Sequence, residues 1–102
     1  MDMKQMMRQA QKMQAQLAQA QEEIKDMTAE ATAGGGMVKA VAMGDGTISS
    51  ITLDKDAVDP EDVEMLEDMI VAAVNEALRA VNAQGSARLS AVTGGMNIPG
   101  LM

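Results

Sequence analysis

Gly34-Gly35-Gly36-Met37-Val38-Lys39-Ala40-Val41-Ala42-Met43-Gly44-Asp45-Gly46-Thr47-Ile48-Ser49-Ser50-Ile51-Thr52-Leu53 is the stretch on which the fold turns. From Met37 to Met43 the period is two, which places Met37, Lys39, Val41 and Met43 on one side and Val38, Ala40 and Ala42 on the other. Gly44-Asp45-Gly46 supplies residues that take the positive φ of a tight hairpin at little steric cost, and Thr47 to Leu53 is the returning strand. The triple glycine breaks the chain after Thr28-Ala29-Glu30-Ala31-Thr32-Ala33, a small and partly β-branched run that suits a third strand. Residues 28–53 therefore read as a small antiparallel sheet of two to three strands. Neither glycine cluster is a phosphate cradle: no lysine–hydroxyl pair follows, and no third spaced glycine. Strand bulge and hairpin turn are the roles that remain.

On the N-terminal side the period changes. Met3, Met6, Ala10, Met13, Leu17, Ala20, Ile24 and Met27 recur at spacings of three and four, which puts them on one stripe of a helix spanning 1–27. Such a helix is a rod of roughly 37 Å, longer than the rest of so small a chain can cover. Part of it is expected to project, or to pack against a partner helix.

On the C-terminal side, Asp59-Pro60-Glu61-Asp62 announces a second helix over 59–84, with Asp59 as cap, proline in the first turn and acids at the positive dipole end. Its buried face is Val63, Leu66, Ile70, Ala73, Val74, Ala77, Leu78 and Val81. Gly85 is expected to end or interrupt it, leaving a short helix over 86–92 and a tail over 93–102 without period. The fold class is α+β in a single domain, 1–102.

Composition bounds the function. The 102 residues include no histidine, cysteine, tryptophan, tyrosine or phenylalanine. Imidazole and thiolate chemistry is thereby removed, along with soft-metal ligation and base stacking on aromatic rings. Neither a catalytic residue, a cofactor nor a metal site is expected. The 48 apolar residues divide into 17 alanine, 12 methionine and 19 valine, isoleucine and leucine, a thin supply for one core. An oligomer is therefore expected, most simply a twofold dimer. The longest apolar run, Met69 to Val74, is six residues, too short to span a membrane, and no secretory stretch precedes it. A soluble cytoplasmic protein is the expectation.

Charge is unevenly spread. The net value is −7, yet residues 1–21 carry +2, residues 22–76 carry −11 and residues 77–102 carry +2. Asp54 to Asp62 superficially suggests a cation loop, but an EF-hand register from Asp54 puts valine at its fifth position, aspartate where glycine is required and Met65 in place of the closing glutamate. A turn and helix cap account for these acids. Lys4, Arg8 and Lys12 are spaced by four and share one face, away from the methionine stripe. Such a face is either a solvated flank of a helix pair or a ridge that tracks phosphates. Arg79 and Arg88 stand in the acid-free C-terminal stretch.

The order of these motifs is itself distinctive. A methionine- and glutamine-rich first helix leads into Gly34-Gly35-Gly36-Met37-Val38-Lys39, and the Gly44-Asp45-Gly46 hairpin follows. Asp59-Pro60-Glu61-Asp62-Val63-Glu64-Met65-Leu66-Glu67-Asp68 and Ala72-Ala73-Val74-Asn75-Glu76-Ala77 come next, then Thr93-Gly94-Gly95-Met96-Asn97-Ile98-Pro99-Gly100. Over essentially its full length the chain resembles the YbaB/EbfC family of bacterial nucleoid-associated proteins. The resemblance implies a tweezer-like homodimer with helical arms, located in the nucleoid. It also implies binding to double-stranded DNA and a change in its shape, with roles in nucleoid organisation and gene expression. Carried over by position, the contacting residues are Lys4, Arg8, Lys12 and Arg88, with Arg79 nearby. The chain departs from the family in charge, because Gln84, Ser86, Ala87 and Ser90 are neutral where relatives often carry lysine.

Two functions follow as expectations. The first is a dimeric architectural protein that grips the DNA backbone, with no membrane or small-molecule partner. The second is a non-enzymatic scaffold whose methionine-lined first helix docks partner helices.

Overall fold

The computed structural model describes residues 2–94. Helix α1 (Met3–Lys25) leads into three strands, β1 (Thr28–Ala33), β2 (Val38–Met43) and β3 (Ile48–Leu53). A short 3-10 turn (Lys55–Ala57) connects them to helix α2 (Val63–Thr93). The sheet is antiparallel in the order β1-β2-β3, so the segment before the triple glycine is indeed a strand.

Turn chemistry sets the sheet. Gly34, Gly35 and Gly36 all have positive φ (63°, 68° and 95°) and join β1 to β2, with Ala33 opposite Val38. The triple glycine is therefore a hairpin connection rather than a bulge. The irregularity lies elsewhere: Val41 faces Ser50 while Ala42 faces Ile48, which leaves Ser49 as the extra residue, its hydroxyl donating to the Val41 carbonyl at 3.3 Å. In the second turn only Gly46 has positive φ (87°), and Asp45 closes the loop by accepting from the amide and the hydroxyl of Thr47. Gly44 serves a different need, described below.

Helix α2 lies across β1 and β2 and leaves β3 largely uncovered. The alternation expected along β2 is observed: Val38, Ala40 and Ala42 are buried against the helix, while Lys39, Val41 and Met43 on the other face are half-buried. From α2 come Met69, Ala73, Ala77 and Val81, spaced by four along one ridge. Six of the nine residues in this core cluster are alanine, so helix and sheet approach closely but bury little side-chain volume.

Two helix boundaries differ from the sequence expectation. Asp59 does not cap α2; it accepts from the Glu61 amide in a turn of its own, and Asp62, three residues on, accepts from the Met65 amide as the true N-cap. Nor does Gly85 end the helix. Helix α2 runs through it without a break to Thr93, so there is no separate helix over 86–92. A mid-helix glycine costs about 1 kcal/mol relative to alanine. Here that cost is offset by burial, because Gly85 faces α1. Of the expected tail, Thr93 belongs to α2 and Gly94 caps it; residues 95–102 lie outside the described residues.

The two helices run antiparallel beyond the sheet, with Ala20 of α1 fully buried. Because α1 continues past the contact, the molecule is drawn out to 71 × 26 × 15 Å with a radius of gyration of 19.8 Å. A compact chain of this length would have about 13 Å. Among the described residues no helix is long and apolar enough to cross a membrane.

Candidate nucleic-acid interface

The candidate cations gather on α1. Asp2 starts the helix by accepting from the Lys4 amide, and the sequence from there to Gln21 has no further acid. Lys4, Arg8 and Lys12 are exposed on this acid-free stretch. At about 100° per residue they fall on the side of α1 opposite the Leu17, Ala20 and Ile24 stripe that meets α2. The ridge therefore faces away from the body, and its three cations span about 12 Å along the helix axis.

Partners separate the five candidate residues. Among the described residues, Lys4, Arg8 and Lys12 form no ion pair. Arg79 instead bonds through Nη1 to Glu76 Oε2 at 2.7 Å, one turn back on α2. Arg88 bonds through Nε to Glu23 Oε2 at 2.8 Å on α1, and that carboxylate holds the guanidinium pKa above its ordinary value. The structure thus gathers three of the five on one free ridge and gives the other two carboxylate neighbours of their own.

The base of α1 is held at three points by residues to which sequence reasoning gave other roles. Gly44 donates from its amide to the Met27 carbonyl at 2.9 Å, and its Cα lies so close to the Ile24 carbonyl that a side chain there would collide with it. Gly85 presents bare backbone to the Ile24 side chain, and Arg88 reaches Glu23. The one sequence signal was a glycine in the middle of an otherwise uninterrupted helical pattern.

The opposite end of the molecule is acidic. An open depression of about 430 Å³ at the start of α2 is lined by Asp62, Glu64 and Asp68 beside Gly34 and Met69. Its carboxylates repel phosphate.

The chain is thus a small α+β protein with a projecting helix that carries a basic ridge on its outer side. The chain matches the YbaB/EbfC DNA-binding family over residues 1–96 and belongs to it. It is 52% identical over 96 residues to a nucleoid-associated protein of Thermoanaerobacter pseudethanolicus, covering 94% of this chain and 86% of that one. It is also 52% identical over 100 residues to a nucleoid-associated protein of Pelotomaculum thermopropionicum, covering 98% and 95%. Among solved structures, an uncharacterized Helicobacter pylori protein superposes with a TM-score of 0.68 at 26% identity, covering 85% of this chain and 91% of that one.

Proposed function

We propose that two copies of this chain form a tweezer-like dimer that grips double-stranded DNA by its backbone through the α1 arms and alters its conformation. Its place is the bacterial nucleoid in the cytoplasm, with a part in nucleoid organisation and gene expression. The observation that carries this reading is the Lys4–Arg8–Lys12 ridge, free of ion pairs among the described residues and set on the acid-free stretch 3–21 of a projecting helix, in a chain of a DNA-binding family. Arg79 joins the contact by exchanging Glu76 for phosphate, and Arg88 through its Nη groups while Nε stays on Glu23.

The dimer rests on the uncovered β3 side. Ile51 pairs with Ala40 and Leu53 with Val38, so both side chains stand on the helix-bearing face of the sheet, where α2 does not reach. They are 43% and 39% exposed. A second copy on this side doubles a core too poor in large side chains to serve alone. In the dimer Ile51→Lys is expected to give a monomer by sedimentation.

Contacts made by one ridge per chain neutralise about six phosphates, so affinity falls as roughly the fifth power of salt concentration. Fluorescence anisotropy with a labelled duplex of about 30 base pairs, at about 50 and 200 mM salt, tests this. Steep loss of saturable binding supports the reading. Absence of binding at the lower salt rejects it and leaves the scaffold reading, which the exposure of Met3, Met6 and Met7 (75%, 54% and 58%) favours.

A further inference from the structure

We infer that Ile24 and Gly85 are positioning residues: the seat of the Ile24 side chain on the bare backbone of Gly85 aims the α1 arm, and with it the basic ridge, at DNA. This inference rests on the DNA-binding reading above. Gly85 lies inside a 31-residue helix, has no positive φ and so has no conformational need to be glycine. Its use is spatial. A Cβ at position 85 would stand 3.2 Å from Ile24 Cγ2, with Cγ1 and Cδ1 at 3.9 Å.

Ile24 is half-buried and is met on a second side as well. Its carbonyl side is pressed against Gly44, whose amide is tied to Met27. The isoleucine is held between two glycines from different elements, and Glu23 beside it is pinned by Arg88. All these contacts fall within about one turn of α1, so they act as a pivot.

The lever is long. Arg8 lies sixteen residues before Ile24, about 24 Å along the helix. A tilt of about 10° at the seat moves Arg8 by roughly 4 Å, whereas a hydrogen bond to phosphate tolerates only a few tenths of an ångström. Any side chain added at Gly85 therefore changes which phosphates the ridge meets, with all its charges still present.

The test uses the full-length chain, with Gly85→Val and Ile24→Ala made singly and together. Spin labels on Gln9→Cys and Asn75→Cys, in labelled chains diluted with unlabelled ones, report the arm direction without DNA. The chain has no native cysteine to interfere. Gly85→Val is expected to shift or broaden that distance, to weaken duplex binding about tenfold and to lower the salt slope by about two. Adding Ile24→Ala restores distance, affinity and slope, which a general loss of stability would not. Should Gly85→Val not fold, Gly85→Ala with Ile24→Ala, which removes the crowded Cγ2, is the second pair, expected to show the same pattern at about two- to threefold.

An unmoved distance in a folded Gly85 variant overturns the inference. So does a moved distance with wild-type affinity and slope, or a double variant no better than the single. A wild-type chain that binds no duplex defeats the functional reading instead, and the label distance then still decides whether Gly85 seats the arm.

Discussion

Arg88 donates from Nε to Glu23 Oε2 at 2.8 Å and so ties α2 to α1 across 65 positions of sequence. The two groups are partly sheltered between the helices, unlike the Arg79–Glu76 and Lys25–Glu22 pairs, which are local and open to solvent. Truncating either Glu23 or Arg88 to alanine is expected to lower the urea midpoint, and truncating both to lower it little further. Full additivity in this double-mutant cycle would show that the pair does not couple the helices.

Substitution of the ridge reads out in the salt dependence. Each of Lys4→Ala, Arg8→Ala and Lys12→Ala is expected to reduce the slope of log affinity against log salt by about 0.9 per phosphate contact removed. Arg79→Ala, already neutralised by Glu76, changes it less. Circular dichroism should leave α1 intact in all four. Equal slopes for Arg8→Ala and Arg79→Ala would remove the distinction between free and paired cations.

An alanine core is more easily overfilled than emptied. Ala40 and Ala73 are fully buried where the sheet and α2 meet. Ala40→Leu or Ala73→Met is expected to cost about 1–3 kcal/mol in denaturant unfolding. Ala83→Leu, on the exposed side of α2, is the control and should change stability by less than about 0.5 kcal/mol.

The β1–β2 turn separates backbone strain from packing. Gly34 and Gly35 have nearly the same positive φ, but a Cβ at Gly34 would strike the Met69 sulfur, whereas one at Gly35 meets nothing. Gly35→Ala should therefore cost about 1 kcal/mol and Gly34→Ala more. In a Met69→Ala background, compared with Met69→Ala alone, Gly34→Ala should cost no more than Gly35→Ala, as measured by thermal unfolding.

Asp45 gives a pH dependence of known sign. The Thr47 hydroxyl and amide hold its carboxyl below the ordinary value. A group depressed in the folded state contributes stability above its unfolded value and loses it as pH falls through the folded one. Asp45→Asn is therefore expected to unfold at a lower temperature than wild type near neutral pH. The gap should close on acidification below the ordinary carboxylate range. A gap that is constant with pH would mean that the ionised carboxylate has no part in the turn.

Much of this fold is legible in short windows of sequence. The methionine–alanine stripe of α1 and the alternation of β2 come from periods of 3.6 and two, which any helix or strand with one buried face imposes. β3 reads only as a returning strand, because its burial is poor and its bulge at Ser49 breaks strict alternation. At the start of α2, Asp59 reads as the cap but Asp62 holds that place; both accept backbone amides, and local preference alone does not choose between them.

The candidate site divides in the same way. That Lys4, Arg8 and Lys12 share a face follows from their spacing, and the structure leaves them exposed on one ridge. Arg88 and Arg79 look equally available in the sequence, and only packing brings Glu23 to the first, while a side-chain rotamer brings Glu76 to the second.

By itself the sequence determined the kinds of element, their order, the turn glycines and the separation of charge between the ends and the middle. These depend on residues within a few positions of one another, where periodicity, capping and φ preference act. The tertiary structure alone decided that α2 passes through Gly85, that α1 seats on it through Ile24, and which arginine is engaged by Glu23. Gly85 and Ile24 stand sixty-one positions apart. A glycine's local tendency to break a helix yields when a neighbouring helix fills the space its missing side chain leaves.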